Sequence, residues 1–77
     1  MNKTDIMLSN VADVREFVNL VVLVDFDVDL AQGRYLIDAK SIMGIFSLDL
    51  LSPITVIAHT EYPDDFFEKL DKFKPKK

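Results

Sequence analysis

The sequence predicts an α+β fold in two layers, an antiparallel sheet with helices on one face. Three observations lead there. DFDVDLAQ (25–32) alternates polar and apolar residues and meets a second extended run, YLIDA (35–39), across Gly33. Two segments, 11–23 and 62–73, carry apolar residues at helical period instead. The elements also follow one another as strand, helix, strand, strand, short helix, strand, helix, with no repeat or low-complexity segment between them.

Residues 3–8, KTDIML, make the first strand. Ser9 or Asn10 then offers a side-chain oxygen to the free N–H groups of a helix start. That helix runs from about 11 to 23, with Val11, Val14, Phe17, Val18, Val21 and Val22 as its apolar stripe. Asp13 puts a negative charge in its first turn, where the helix dipole favours one. The β-branched valines weaken its intrinsic propensity, so it needs a sheet to pack on. In the hairpin, Phe26, Val28 and Leu30 share one face and Asp25, Asp27 and Asp29 the other, while Leu36 and Asp38 share a face of the returning strand. The three aspartates read as a solvated sheet face, because calcium loops need turning backbone and carbonyl ligands.

Ser41 opens a short apolar helix, IMGIFSL. ITVIAHT (54–60) is a β-branched strand entered through Pro53. YPDDFFEKLDKF (62–73) reads as a helix with Pro63, Asp64 and Asp65 in its first turn. Phe66, Phe67, Leu70 and Phe73 form its stripe, and Glu68 and Lys72 are spaced as an (i, i+4) pair.

The 77 residues predict a single domain, 1–77, with an ordered core over about 4–73. A chain this small buries roughly 60–65% of its unfolded surface, and a hydrophobic content of 49% compensates. No cysteine is present, which removes disulfides, thiolate metal sites and cysteine nucleophiles and favours the cytoplasm. MNKTDIMLSN has no long apolar run, so no signal peptide is expected, and LVVLV (20–24) is too short to span a bilayer. A net charge of −4 argues against nucleic acid, which needs a basic footprint. The basic cluster KFKPKK (72–77) reads as a solvated terminus.

The element order, together with Lys40, Ser41, Ile42, Met43 and Gly44 and then Ser47 and Leu48, resembles the HPr family, small phosphocarriers of the bacterial sugar phosphotransferase system. The spacing from Asp27 to Gly44 agrees without gaps, and the resemblance covers about residues 4–73. It implies the HPr-like open-faced sandwich, β-α-β-β-α-β-α, with strand order 1-4-2-3. It also implies a phosphoryl-accepting histidine ahead of the first helix, within Gly-x-His-x-Arg-Pro. That pattern falls on Leu8, Ser9, Asn10, Val11, Ala12 and Asp13, so Asn10 stands at the histidine position and Asp13 at the proline position. An amide is not a nucleophile that can carry a phosphoryl group. A carboxylate about 5 Å from a phosphoryl dianion opposes it by on the order of 1 kcal/mol. Arg15 lies three positions past the family's arginine and reads as a solvated helix charge. His59, the one histidine, stands at a strand end with nothing in the sequence to bring it to the first helix.

Ser41 has a plain task as a helix cap, worth about 1 kcal/mol. The resemblance adds a second: many family members are phosphorylated at the matching serine by a dedicated kinase. Ile45 and Leu48 fall toward the sheet, leaving Ile42, Met43 and Phe46 either as core or as a partner-binding patch beside the first helix. The expected function is therefore an HPr-like regulatory or protein-interaction module that transfers no phosphoryl group, with no catalytic residue, cofactor or metal. Its expected partners are proteins of the phosphotransferase system or of carbon regulation, with no nucleic acid and no membrane insertion, and the chain is expected as a monomer or weak homodimer. Two alternatives stand beside it: a carrier that accepts phosphoryl on another residue, and a self-associating or ligand-binding module.

Overall fold

The computed structural model describes residues 2–75. Lys76 and Lys77 of the basic tail lie outside them. Strands β1 (Lys3–Ile6), β2 (Val28–Gln32), β3 (Tyr35–Asp38) and β4 (Ile54–Ala58) form one antiparallel sheet in the order β1-β4-β2-β3. Helices α1 (Val11–Val21), α2 (Ile42–Phe46) and α3 (Asp64–Lys69) cover one face, and a 3-10 turn over Asp71–Phe73 follows α3. This is the α+β open-faced sandwich expected from the sequence.

The pleat sorts the side chains. Ile54, Val56 and Ala58 of β4 are buried while Thr55 and Ile57 are half-exposed. The register Val28↔Ala58 and Leu30↔Val56 places the buried residues of β2 beside them. Ile6 of β1 pairs with Ile54 on the same face. Val14, Phe17, Val18 and Val21 of α1, Ile45 of α2, Phe66 of α3 and then Leu70 and Phe73 close the core above this apolar surface. Phe73 meets Phe17 edge to face, with ring centroids 6.2 Å apart. Gly33, at φ 57°, makes the two-residue turn between β2 and β3. A left-handed backbone there suits a residue without Cβ and matches the strand twist.

Several boundaries differ from the sequence expectation. β1 stops at Ile6 rather than 8: Ala58 N donates to Asn2 O, so by alternation the Met7 N–H points away from β4, and it donates to Phe73 O at 2.7 Å. α1 ends at Val21 rather than 23, as the Leu23 and Val24 amides turn back to Leu20 O and Val21 O in tighter i−3 bonds. β2 begins at Val28, not Asp25. Phe26 leaves the strand to meet Phe66 edge to face at 5.6 Å. β3 ends at Asp38 and β4 at Ala58, one and two residues short. The final helix is broken into α3 and the 3-10 turn, since Leu70 N and Phe73 N also bond three residues back. That break turns Lys72 away from Glu68: its ammonium pairs with Glu16 of α1.

Candidate functional site

The start of α1 is closed by its own side chains. Asn10 is extended, and its Oδ1 accepts from Asp13 N at 2.8 Å. The Asp13 carboxylate in turn accepts from Ser9 N at 3.0 Å. Of the two amides, Asp13 N is one of the helix's free N–H donors, whereas Ser9 N lies ahead of the cap and is held from outside the helix by the Asp13 carboxylate. A groove beside this end is lined by Met7, Ser9, Asn10, Asp13, Lys72, Phe73, Lys74 and Pro75. Its two lysines are engaged, Lys72 with Glu16 and Lys74 with Thr4 Oγ1. The described part of the basic tail thus lies against the fold rather than free in solvent. Arg15 is exposed on α1.

His59 lies elsewhere. It follows Ala58, which pairs beyond the first residue of β1, whereas α1 begins beyond the last. At ~3.3 Å per residue the length of β1, about 10 Å, separates the two ends. Its Nε2 is 2.7 Å from Asp29 Oδ2 on the open face of the sheet. Sequence reading missed this pair because only the β2–β4 register brings residues 29 and 59 together. Among the described residues no group of three or more His, Asp or Glu side chains converges in a way that could hold a metal ion.

α2 shows why a serine stands at its entrance. Ser41 is extended, and its Oγ accepts from Gly44 N at 3.1 Å. A Cβ at Gly44 would meet Ser41 Oγ at 3.0 Å and Ile37 Cδ1 at 3.3 Å, so the glycine lets the cap and β3 approach closely. Ile45 is fully buried and Leu48 nearly so, while Met43 is 82% exposed and Ile42 and Phe46 about 40% each. α2 packs against α1. On α1, Val11 and Val22 are more than half exposed although both belong to its apolar stripe. At 100° per residue they fall together on the flank past Val18. Among the described residues no helix is long and apolar enough to cross a membrane.

Strand order, helix placement and the short capped α2 define the architecture of an HPr-like protein. Solved structures bear this out. An HPr-C-His protein from Thermoanaerobacter tengcongensis superposes with a TM-score of 0.75 at 21% identity, over 94% of this chain and 89% of that one. The phosphocarrier protein HPr from Bacillus anthracis strain Ames gives a TM-score of 0.72 at 22% identity, over 95% of both chains. The likeness is one of fold. No protein-family model matches the chain, and no curated protein matches it.

Proposed function

We propose that this chain is a phosphotransferase-system-related protein that carries no phosphoryl group and acts in the cytoplasm as a protein-interaction module, docking through α2. The observation that carries the reading is a contrast between two neighbouring helix starts. At α1, Asn10 Oδ1 already holds the Asp13 N–H, and the Asp13 carboxylate, bonded to Ser9 N, sets a negative charge against an incoming phosphoryl group. At α2, Ile42, Met43 and Phe46 stay exposed on a helix that packs against α1. Water-facing clusters of large apolar side chains are interaction surfaces more often than accidents. Phe46, half in and half out, is the natural anchor. Ser41 is the candidate regulatory site, because its exposed hydroxyl lies at a helix start where added negative charge is favoured.

Two measurements test this. Incubation with Enzyme I and labelled phosphoenolpyruvate is expected to leave the chain unlabelled; an acid-labile phosphoramidate on it would overturn the non-carrier half. Titration of the isotope-labelled chain with phosphotransferase-system proteins is expected to shift Ile42, Met43 and Phe46 first. Shifts confined to the open face of the sheet would place docking elsewhere.

A further inference from the structure

The two edges of the sheet are treated differently. At β1 the segment after α3 lies alongside: Phe73 O accepts from Met7 N at 2.7 Å and the Lys74 ammonium reaches Thr4 Oγ1. At β3, the other edge, Tyr35 and Leu36 are 60% and 65% exposed. Exposed edges with apolar side chains are templates for strand addition, and proteins usually blunt them with proline, inward charge or a bulge. β3 has a regular ladder to β2 from Gln32↔Tyr35 through Asp29↔Asp38.

The ladder fixes which backbone groups are free. In a hairpin closed by a two-residue turn, the closing pair exchanges both hydrogen bonds and the pattern then alternates. Tyr35 and Ile37 therefore turn their N–H and C=O toward β2, as does Ala39, whose N–H reaches Val28 O at 3.0 Å. Leu36 N–H and C=O and Asp38 N–H point away from the sheet. Asp38 C=O accepts from Ser41 N at 3.0 Å. The side chains of Leu36 and Asp38 stand on the open face, opposite Ala31 and Asp29.

That face holds a like-charge conflict. Asp38 sits directly across from Asp29, an arrangement that weakens a sheet. Asp29 has His59 as a partner at 2.7 Å. The Asp38 carboxylate bonds the backbone N–H of Lys40 at 2.8 Å. Arg34 is exposed in the turn, two positions before Leu36, and Asp38 lies two positions after it.

We propose that β3 is a self-recognition edge: a second copy of this chain adds its own β3 antiparallel, about a two-fold axis through Leu36. In that register Leu36 faces Leu36 of the second copy and exchanges both backbone bonds with it. Arg34 faces Asp38 of the second copy and the reverse, so each Asp38 gains a cation on the side away from Asp29. Tyr35 faces Ile37. The sequence of charges along the edge, plus at 34, apolar at 36, minus at 38, is what selects a second copy as the occupant, since it is complementary to itself when reversed. Sliding by two residues sets Leu36 against a charge, and sliding by one mismatches the outward-pointing backbone groups. So short a strand buries little area, which makes the association weak and reversible. It involves a different surface from α2 and stands independently of the docking function.

The test is a charge exchange followed by NMR and sedimentation up to millimolar chain. The native chain is expected to self-associate, with concentration-dependent shifts centred on the Leu36 and Asp38 amides. Arg34→Asp and Asp38→Arg each turn both ion pairs into repulsions and weaken association about tenfold. An equimolar mixture of the two variants restores it, as does the double variant, because opposite charges again face each other across both pairs. A native chain that stays monomeric at millimolar concentration overturns the proposal. So does association that ignores the single variants, or that shifts α2 residues rather than β3.

Discussion

Ile45 and Met43 are two residues apart on α2 and separate the core from the proposed docking surface. Ile45 is fully buried among α1, β3 and the sheet, whereas Met43 is 82% exposed. Ile45→Ala removes three carbons from the core, about 2.4 kcal/mol at ~0.8 kcal/mol each, and the cavity left behind raises the loss to about 2–5 kcal/mol. A chain of 77 residues has a total stability of about 4–11 kcal/mol, so this substitution takes a large part of it. At ~4–8 °C per kcal/mol for a domain of this size, Tm falls by about 10–30 °C. Met43→Asp removes almost no buried surface and is expected to stay within about 0.5 kcal/mol of the native chain. Thermal unfolding followed by circular dichroism reads both, and the same samples are titrated with phosphotransferase-system proteins. The expected result is an unstable Ile45→Ala and a fully folded Met43→Asp that has lost docking. A Met43→Asp chain that unfolds as early as Ile45→Ala would show the methionine to be core and refute the assignment of an exposed patch.

Three further outcomes follow from the same geometry. Asn10→Ala removes the oxygen that accepts from Asp13 N and costs about 1 kcal/mol in chemical denaturation, while Asn10→Asp, which keeps the acceptor, stays near the native value. Gly33→Ala forces a side chain into a backbone at φ 57° and costs about 1–2 kcal/mol although nothing crowds its Cβ, so a neutral result by urea titration would mean the turn relaxes. Ser41→Ala loses the α2 cap for about 1 kcal/mol, and faster hydrogen exchange is expected at Gly44 N, with β4 unchanged.

Much of this architecture was legible in the residues themselves. Alternation in VDLAQ and ITVIA, the 3.6-residue stripe of α1, the glycine turn and the serine ahead of α2 are local signals, each set by backbone sterics or by a side chain reaching only a few residues away. The Asn10 cap at the start of α1 was equally legible, because Asn10 and Asp13 meet within one helical turn. Local signals did not tell where each element stops. Met7 leaves β1 for Phe73, and Phe26 meets Phe66, each a partner tens of residues away. Nor did they tell which of two equally apolar residues stays wet: Val18 and Val22 read alike along α1, and only the packing of the folded chain buries one and leaves the other exposed.

Residue pattern alone set the kinds of elements, their order and the capping residue at the head of α1. The tertiary structure alone decided that His59 meets Asp29, that Lys72 meets Glu16 and that β3 is left as an open edge. Hydrogen-bond capacity and apolar period are properties of neighbouring residues, whereas strand register and helix packing join residues tens of positions apart.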